Sequence, residues 1–441
     1  MTVVAFIIGI VLLVVGLAVS IALHELGHLV PAKRFGVRVG QYMIGFGPTL
    51  WSRRRGETEY GFKAIPLGGY ISMAGMYPPS PREARSGRAG GGFFATMVQD
   101  ARVANDETLE GDDDPRVFYR LPVWKRVVVM LGGPVMNLLF AIVLFTILLC
   151  AIGVQTATTT VQSVSECVIP PTEQRTECAP GDPAAPAAEA GLRAGDTLVS
   201  VDGVEVATFA EASAIIRESA GETIPVVVER DGEQVTLRLT PATVTVPETD
   251  AAGRVVTGPD GEARTVDVGY AGMRAEVEYV RQPIWAGATA TFENVGAVAG
   301  VIWRLPVMVW DTAVSTITGQ ERDPNGPLSV VGAGVLAGEV AAADAPVLNR
   351  VAGLVGLLAS LNVALFVFNL IPLLPLDGGH VVVALWDGLK RVWAKLTGRS
   401  QPKPVDATKL VPVTFVVVIA LIAMGVVLIV SDLVNPISLF G

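Results

Sequence analysis

His24-Glu25-Leu26-Gly27-His28 lies inside the first long apolar run of the chain, residues 3–32, and its reading decides the rest. Two imidazoles at i and i+4 share one helix face about 6 Å apart, close enough to hold one zinc ion, and Glu25 directly follows the first of them. The chain has three histidines, and two of them stand here at ligand spacing around an acid. The competing reading, two histidines that only cap or pack a helix, has no use for the glutamate between them. A hydrolytic metal site placed within a membrane span is the expectation.

Outward from this run, the composition is that of a polytopic membrane protein with soluble parts. Of 441 residues, 51% are hydrophobic and 17% are charged, which excludes a single water-soluble globule. The first run has neither the basic leader nor the small-residue cleavage site of a signal peptide and is read as retained. Three further apolar runs, residues 127–154, 351–371 and 410–430, each reach the roughly 20 residues a bilayer demands. Lys33, Arg34 and Arg53–Arg55 follow the first span, Lys125 and Arg126 precede the second, and Lys390, Arg391, Lys395 and Arg399 follow the third. Such basic loops are retained in the cytoplasm. Both termini and residues 155–350 then lie outside a bacterial cell membrane. The net charge of −9 resides in acidic loops and gives no surface for nucleic acid.

The expected fold is a polytopic α-helical membrane protein with four transmembrane helices, a membrane-associated β-hairpin or sheet and an extracytoplasmic β-rich domain. The metal-bearing helix occupies residues 1–36. Residues 37–77 read as glycine-broken β segments beside it, at a depth where backbone edges survive only in protein or along a wet cavity. Residues 78–120, with Gly90-Gly91-Gly92 and Asp112-Asp113-Asp114, read as a flexible cytoplasmic linker, and residues 121–156 as the second span. Residues 157–245 contain Gly191-Leu192-Arg193-Ala194-Gly195-Asp196, a strand and the turn Asp202-Gly203, a pattern that resembles a PDZ domain, a fold that captures peptide strands. A Pro- and Glu-rich insertion there carries Cys167 and Cys178, expected to be bridged in an oxidising compartment, with two free thiols as the alternative. Residues 246–350 read as β structure and interfacial helices, 351–385 as the third span, 386–409 as a basic cytoplasmic loop and 410–434 as the fourth span.

A catalytic zinc commonly takes three protein ligands and leaves one place for water, so the histidine pair needs another donor. Asp377 is the candidate, in Asn369-Leu370-Ile371-Pro372-Leu373-Leu374-Pro375-Leu376-Asp377-Gly378-Gly379-His380, where two prolines and two glycines break the helix. Spans one and three both run inward, which brings Asp377 to the same cytoplasmic end as His24. His380 is the competing donor, read otherwise as supporting the site from behind. Glu25 is placed to take a proton from the attacking water and return it to the leaving nitrogen. Asn369 and Asn137 read either as substrate or oxyanion contacts or as inter-helix hydrogen bonds.

These segments in this order, with Gly132-Gly133-Pro134-Val135-Met136-Asn137 in the second span, resemble a bacterial site-2 protease of the PDZ-containing kind over nearly the whole chain. The resemblance implies an intramembrane zinc endopeptidase with His24, His28 and Asp377 as ligands and Glu25 as base. It implies as substrate a single-pass membrane protein, such as an anti-sigma factor, trimmed by an earlier outer cut. Two features depart from that pattern: only one PDZ-like module is evident, and the cysteine-bearing insertion is foreign to it. The runner-up is a non-catalytic membrane receptor or scaffold with a structural metal.

Overall fold

A computed structural model describes residues 3–78, 93–109, 114–168, 178–248, 256, 263–320, 322–324, 326–400, 402 and 404–437. Gly90-Gly91-Gly92, Asp112, Asp113 and residues 169–177 between the cysteines lie outside the described residues. By its internal contacts the chain divides into two units, residues 153–282 and the segments on either side of them.

The first apolar run forms α1, Val3–Arg34, whose buried positions include Gly9, Ser20, Glu25, Gly27 and His28, while Ile7, Val11 and Val15 are exposed. Apolar outside and small or polar inside is the arrangement that a lipid solvent selects. β1, Val39–Arg55, and β2, Thr58–Met73, follow. Both strands fold back, so that Gln41–Ile44 is flanked by residues 69–72 on one side and 59–62 on the other. The hydroxyl of Tyr42 donates to the Ala22 carbonyl over 2.7 Å, fastening this sheet to α1.

The segment expected to be a flexible linker is in part folded. It contains α2, Phe93–Asp106, an Arg38–Asp114 ion pair at 2.9 Å and a buried Phe118. Gly-rich and acidic neighbours conceal these anchors in the sequence. α3, Val123–Thr146, continues as a π-helical turn to Ile152 and runs antiparallel to α1. The two backbones meet at glycines, where a Cβ on Gly27 would fall 2.1 Å from the Gly132 carbonyl oxygen.

The second unit begins with β3, Val154–Val164, then α4, Pro186–Glu189, β4, Thr197–Val201, β5, Val204–Glu205, and α5, Phe209–Glu218. β6, Ile224–Arg230, β7, Glu233–Leu239, β8, Ala242–Pro247, β9, Thr265–Tyr270, and β10, Met273–Val280, complete it. The main sheet is antiparallel in the order β10-β3-β4-β6-β7 with β5 on β4, and β8 and β9 form a separate ribbon. Val161, Leu198, Val201, Val226, Val228 and Leu239 form its core, each 2% exposed or less. Within the glycine-rich motif, Asp196 accepts from Nε and Nη2 of Arg230 at 2.8 Å each and from the Arg193 amide at 2.8 Å. Cys167 and Cys178 are joined by a disulfide. The unit extends beyond the expected 157–245 because β10, distant in sequence, is hydrogen-bonded to β3.

The remaining elements are α6, Ala286–Thr318, α7, Val330–Ala342, α8, Val347–Asn369, α9, Asp377–Leu396, and α10, Val411–Val434. Among the described residues five helices are long and apolar enough to cross a membrane, one of them the continuous 33-residue α6 in the region read as interfacial helices. Its scattered Glu293, Arg304 and Asp311 break the hydropathy, not the helix. The third span stops at Asn369 instead of running on to residue 385, and the first part of the expected basic loop is helical, since α9 reaches Leu396. Between α8 and α9 the chain doubles back closely, and a Cβ on Gly378 would lie 2.4 Å from the Leu370 carbonyl oxygen.

α8 runs parallel to α1. Leu12 and Leu13 border a cavity with Val351 and Leu354, Gly16 meets Leu358, and Asn362 Nδ2 donates to Ser20 Oγ over 2.9 Å. α7 fills the space beside the N-terminal half of α1, where Gly9 meets Ala337 and Ala341.

Candidate metal centre

Helical geometry sets the first two donors: Nε2 of His24 and Nε2 of His28 lie 3.2 Å apart. The parallel course of α8 and the turn after it deliver the third, with Asp377 Oδ2 at 3.3 Å from His24 Nε2 and Oδ1 at 3.5 Å from His28 Nε2. Among the described residues, His24, His28 and Asp377 are the one group of at least three such side chains whose donor atoms could share an ion. Zinc bonds of about 2.0–2.1 Å at tetrahedral angles place neighbouring ligand atoms about 3.3 Å apart. The three observed separations match that edge length.

Hydrogen bonding points the same way. Nδ1 of His28 lies 2.7 Å from the Val129 carbonyl oxygen. A carbonyl can only accept, so Nδ1 carries the hydrogen and Nε2 keeps its lone pair. Nδ1 of His24 lies 3.2 Å from the Asn137 side-chain nitrogen, while Asn137 Oδ1 is buried without a partner. Turned over, the same amide presents Oδ1 to a His24 Nδ1–H and satisfies both groups; amide orientation is an assignment that such networks decide. Asp377 Oδ2 is likewise buried without a hydrogen bond. Two lone-pair nitrogens and a bare carboxylate oxygen converging in a buried place fit a cation.

Glu25 follows His24 on α1 and is 8% exposed. With His24, Asn137, Asn369, Gly68 and Gly69 it lines a cavity of about 180 Å³, the volume of a few side-chain atoms beside the donors. Asn369 Nδ2 donates to Leu365 O within its own helix at 2.9 Å. His380 stands outside the donor group and stacks on Tyr77, ring centroids 6.3 Å apart.

The sequence names the Gly-Gly-Pro segment without its reason. A Cβ on Gly133 would lie 2.2 Å from His28 Nε2 and 2.8 Å from His24 Cε1, so only glycine admits the imidazole pair. The Val129 carbonyl leaves no trace in residue identity. Gly69 is similarly close to the acid, its Cβ position 3.0 Å from Glu25 Cγ. Residues 69–72 pair only with β1, and no other strand covers their outer edge among the described residues.

Residues 12–401 match the sequence model of peptidase family M50. The chain is similar to zinc metalloprotease Rip1 of Mycobacterium tuberculosis, with 36% identity over 99% of both chains. It is also similar to zinc metalloprotease Rip1 of Mycolicibacterium smegmatis, 35% identical over 98% of this chain and 99% of that one. Metalloprotease MmpA of Caulobacter vibrioides is 29% identical over 88% of each chain.

Proposed function

The chain belongs to peptidase family M50, and from that premise we propose that His24, His28 and Asp377 hold the catalytic zinc of an intramembrane endopeptidase whose general base is Glu25. The observation that carries this reading is the convergence of three donors at tetrahedral edge lengths with a buried carboxylate in the adjoining cavity. Zinc, when bound, supplies a Lewis acid that acidifies water and polarises the scissile carbonyl. Glu25 takes the proton from the attacking water and returns it to the leaving amide nitrogen. The Val129 carbonyl and the Asn137 amide hold the two imidazoles in the tautomer that leaves Nε2 free. A scaffold with a purely structural metal leaves the buried Glu25 carboxylate without a task.

The contact register supports four crossings, by α1, α3, α8 and α10. α3 is antiparallel to α1 and α8 is parallel to it, so α6 and α7 together make no net crossing. α7, with 13 residues, spans about 20 Å and is too short to return the chain through a hydrocarbon core of about 30 Å. In this reading α6 lies along the membrane, with Trp303 and Trp310 on its exposed side, and the metal lies near the cytoplasmic face, a sidedness that the basic-loop asymmetry supports.

The substrate in this reading is a single-pass membrane protein, of which a trimmed anti-sigma factor is one candidate. Its unwound segment adds as a strand to the open edge at residues 69–72, which leads past Gly69 to Glu25. The PDZ-like module admits trimmed stubs and hinders bulky outer domains. Purified Glu25→Gln should keep its zinc and cleave a model transmembrane substrate at least about 100-fold more slowly. Undiminished cleavage by that variant removes the assigned base and with it the mechanism.

A further inference from the structure

α9 has two faces that follow different rules. On one, Ala384, Asp387 and Ala394 are buried, and Asp387 accepts from Arg126 Nη1 at 3.0 Å, Lys390 Nζ at 3.2 Å and the Val405 amide at 2.9 Å. That face is packed on protein. On the other, Leu385, Trp386, Leu389, Val392, Trp393 and Leu396 form a stripe at helical spacing, each between 54% and 78% exposed. The stripe is about 17 Å long, and α9 is not among the helices apolar enough to cross a membrane. Arg391, Lys395 and Arg399 stand off this stripe and have no ion-pair partner among the described residues.

We propose that α9 is an in-plane membrane helix whose apolar stripe sits among lipid acyl chains, and that its Arg391 and Lys395, with Arg399 just beyond its C-terminal end, bind anionic phospholipid headgroups. Its position in the chain favours lipid as the occupant. α8 before it and α10 after it are apolar spans, so the segment joining them starts and ends at one bilayer surface. Trp386 and Trp393, seven residues apart on the stripe, suit the interfacial level where indole rings collect. A second copy of the chain fits less well. A symmetric pair of α9 helices would bring these cations together, and the two acids of α9 are already engaged, Asp387 with Arg126 and Asp377 with the histidines.

The test uses the full zinc-loaded chain with Leu389→Cys in a Cys150→Ser background, the disulfide left oxidised and the new thiol carrying a bimane fluorophore. The protein is reconstituted in vesicles of phosphatidylcholine containing brominated phosphatidylcholine or brominated phosphatidylglycerol. Both lipids are expected to quench the fluorophore. The anionic one should bind more tightly, by up to roughly fivefold for each engaged cation. In an Arg391→Gln/Lys395→Gln/Arg399→Gln variant with unchanged zinc content, that preference should fall to one. Absence of quenching by either lipid overturns the membrane contact. Equal quenching by both in the unsubstituted cation background, or a preference that survives the triple substitution, overturns the headgroup site.

Discussion

The two units of this chain are built by opposite rules. Residues 153–282 bury Leu198, Val201, Val226 and Val228 in a sheet core, the arrangement that water imposes. In the other unit, large apolar side chains such as Val11, Leu139 and Val416 are exposed, and contact is made by Gly27 on Gly132, Gly9 on Ala337 and Ser20 on Asn362. Away from the candidate metal centre, its buried charges include the pairs Arg126–Asp387 and Arg322–Asp432. In lipid, association gains little from burying apolar area, so close backbone approach and satisfied polar groups hold the helices, with His24, His28 and Asp377 converging between them. The lesson concerns sensitivity: the membrane unit should tolerate truncation of large residues and fail on enlargement of small ones, and the sheet unit should do the reverse.

The largest effect expected is at Gly133. Gly133→Val places atoms within the space of the His28 imidazole, and activity and zinc content should fall at least about 100-fold; normal zinc content and turnover would break the contrast at its sharpest point. Next is Leu198→Ala in the sheet unit, expected to cost about 2–5 kcal/mol. Hydrogen exchange of β4 and β6 amides in the intact chain should accelerate accordingly, with zinc retained.

A smaller effect is expected at Asp196, whose carboxyl Arg230 holds below the usual carboxylate range. A depressed folded value means the stabilisation is present above the unfolded value of about 3.9 and is lost as pH falls through the folded one. Asp196→Asn should lose about 1 kcal/mol at neutral pH, Arg230 being partly solvated, and exchange rates of variant and parent should converge towards the acid end. A gap that widens on acidification contradicts the pairing. The smallest effect is at lipid-facing Val416→Ala, expected within about 0.5 kcal/mol and checked by the thermal inactivation midpoint; a loss as large as that of Leu198→Ala would erase the distinction.

The helix that carries His24 and His28 is legible because its signal is local: a four-residue spacing fixes a helix face whatever surrounds it. Asp377 is legible one step further out, since span direction alone brings it to the end of α1 that carries His24. α9 is different. Its stripe has a clear 3.6-residue period, but the lysines and arginines that mark a cytoplasmic loop also mark the polar edge of an interfacial helix, and charge alone does not separate the two. The edges of the sheet unit are hidden for another reason. β10 pairs with β3 across more than a hundred residues, and no periodicity within either strand reports its partner. Gly133 shows as one more glycine in a span until His28 is placed against it.

The measurement that bears most directly on the account is the zinc content of purified Asp377→Ala beside His380→Ala. The geometry joins Asp377 to the two imidazoles and leaves His380 on Tyr77. Zinc should be lost from Asp377→Ala, which keeps two imidazoles alone, and remain at about one per chain in His380→Ala. Full zinc in Asp377→Ala, with loss in His380→Ala, would contradict the site described.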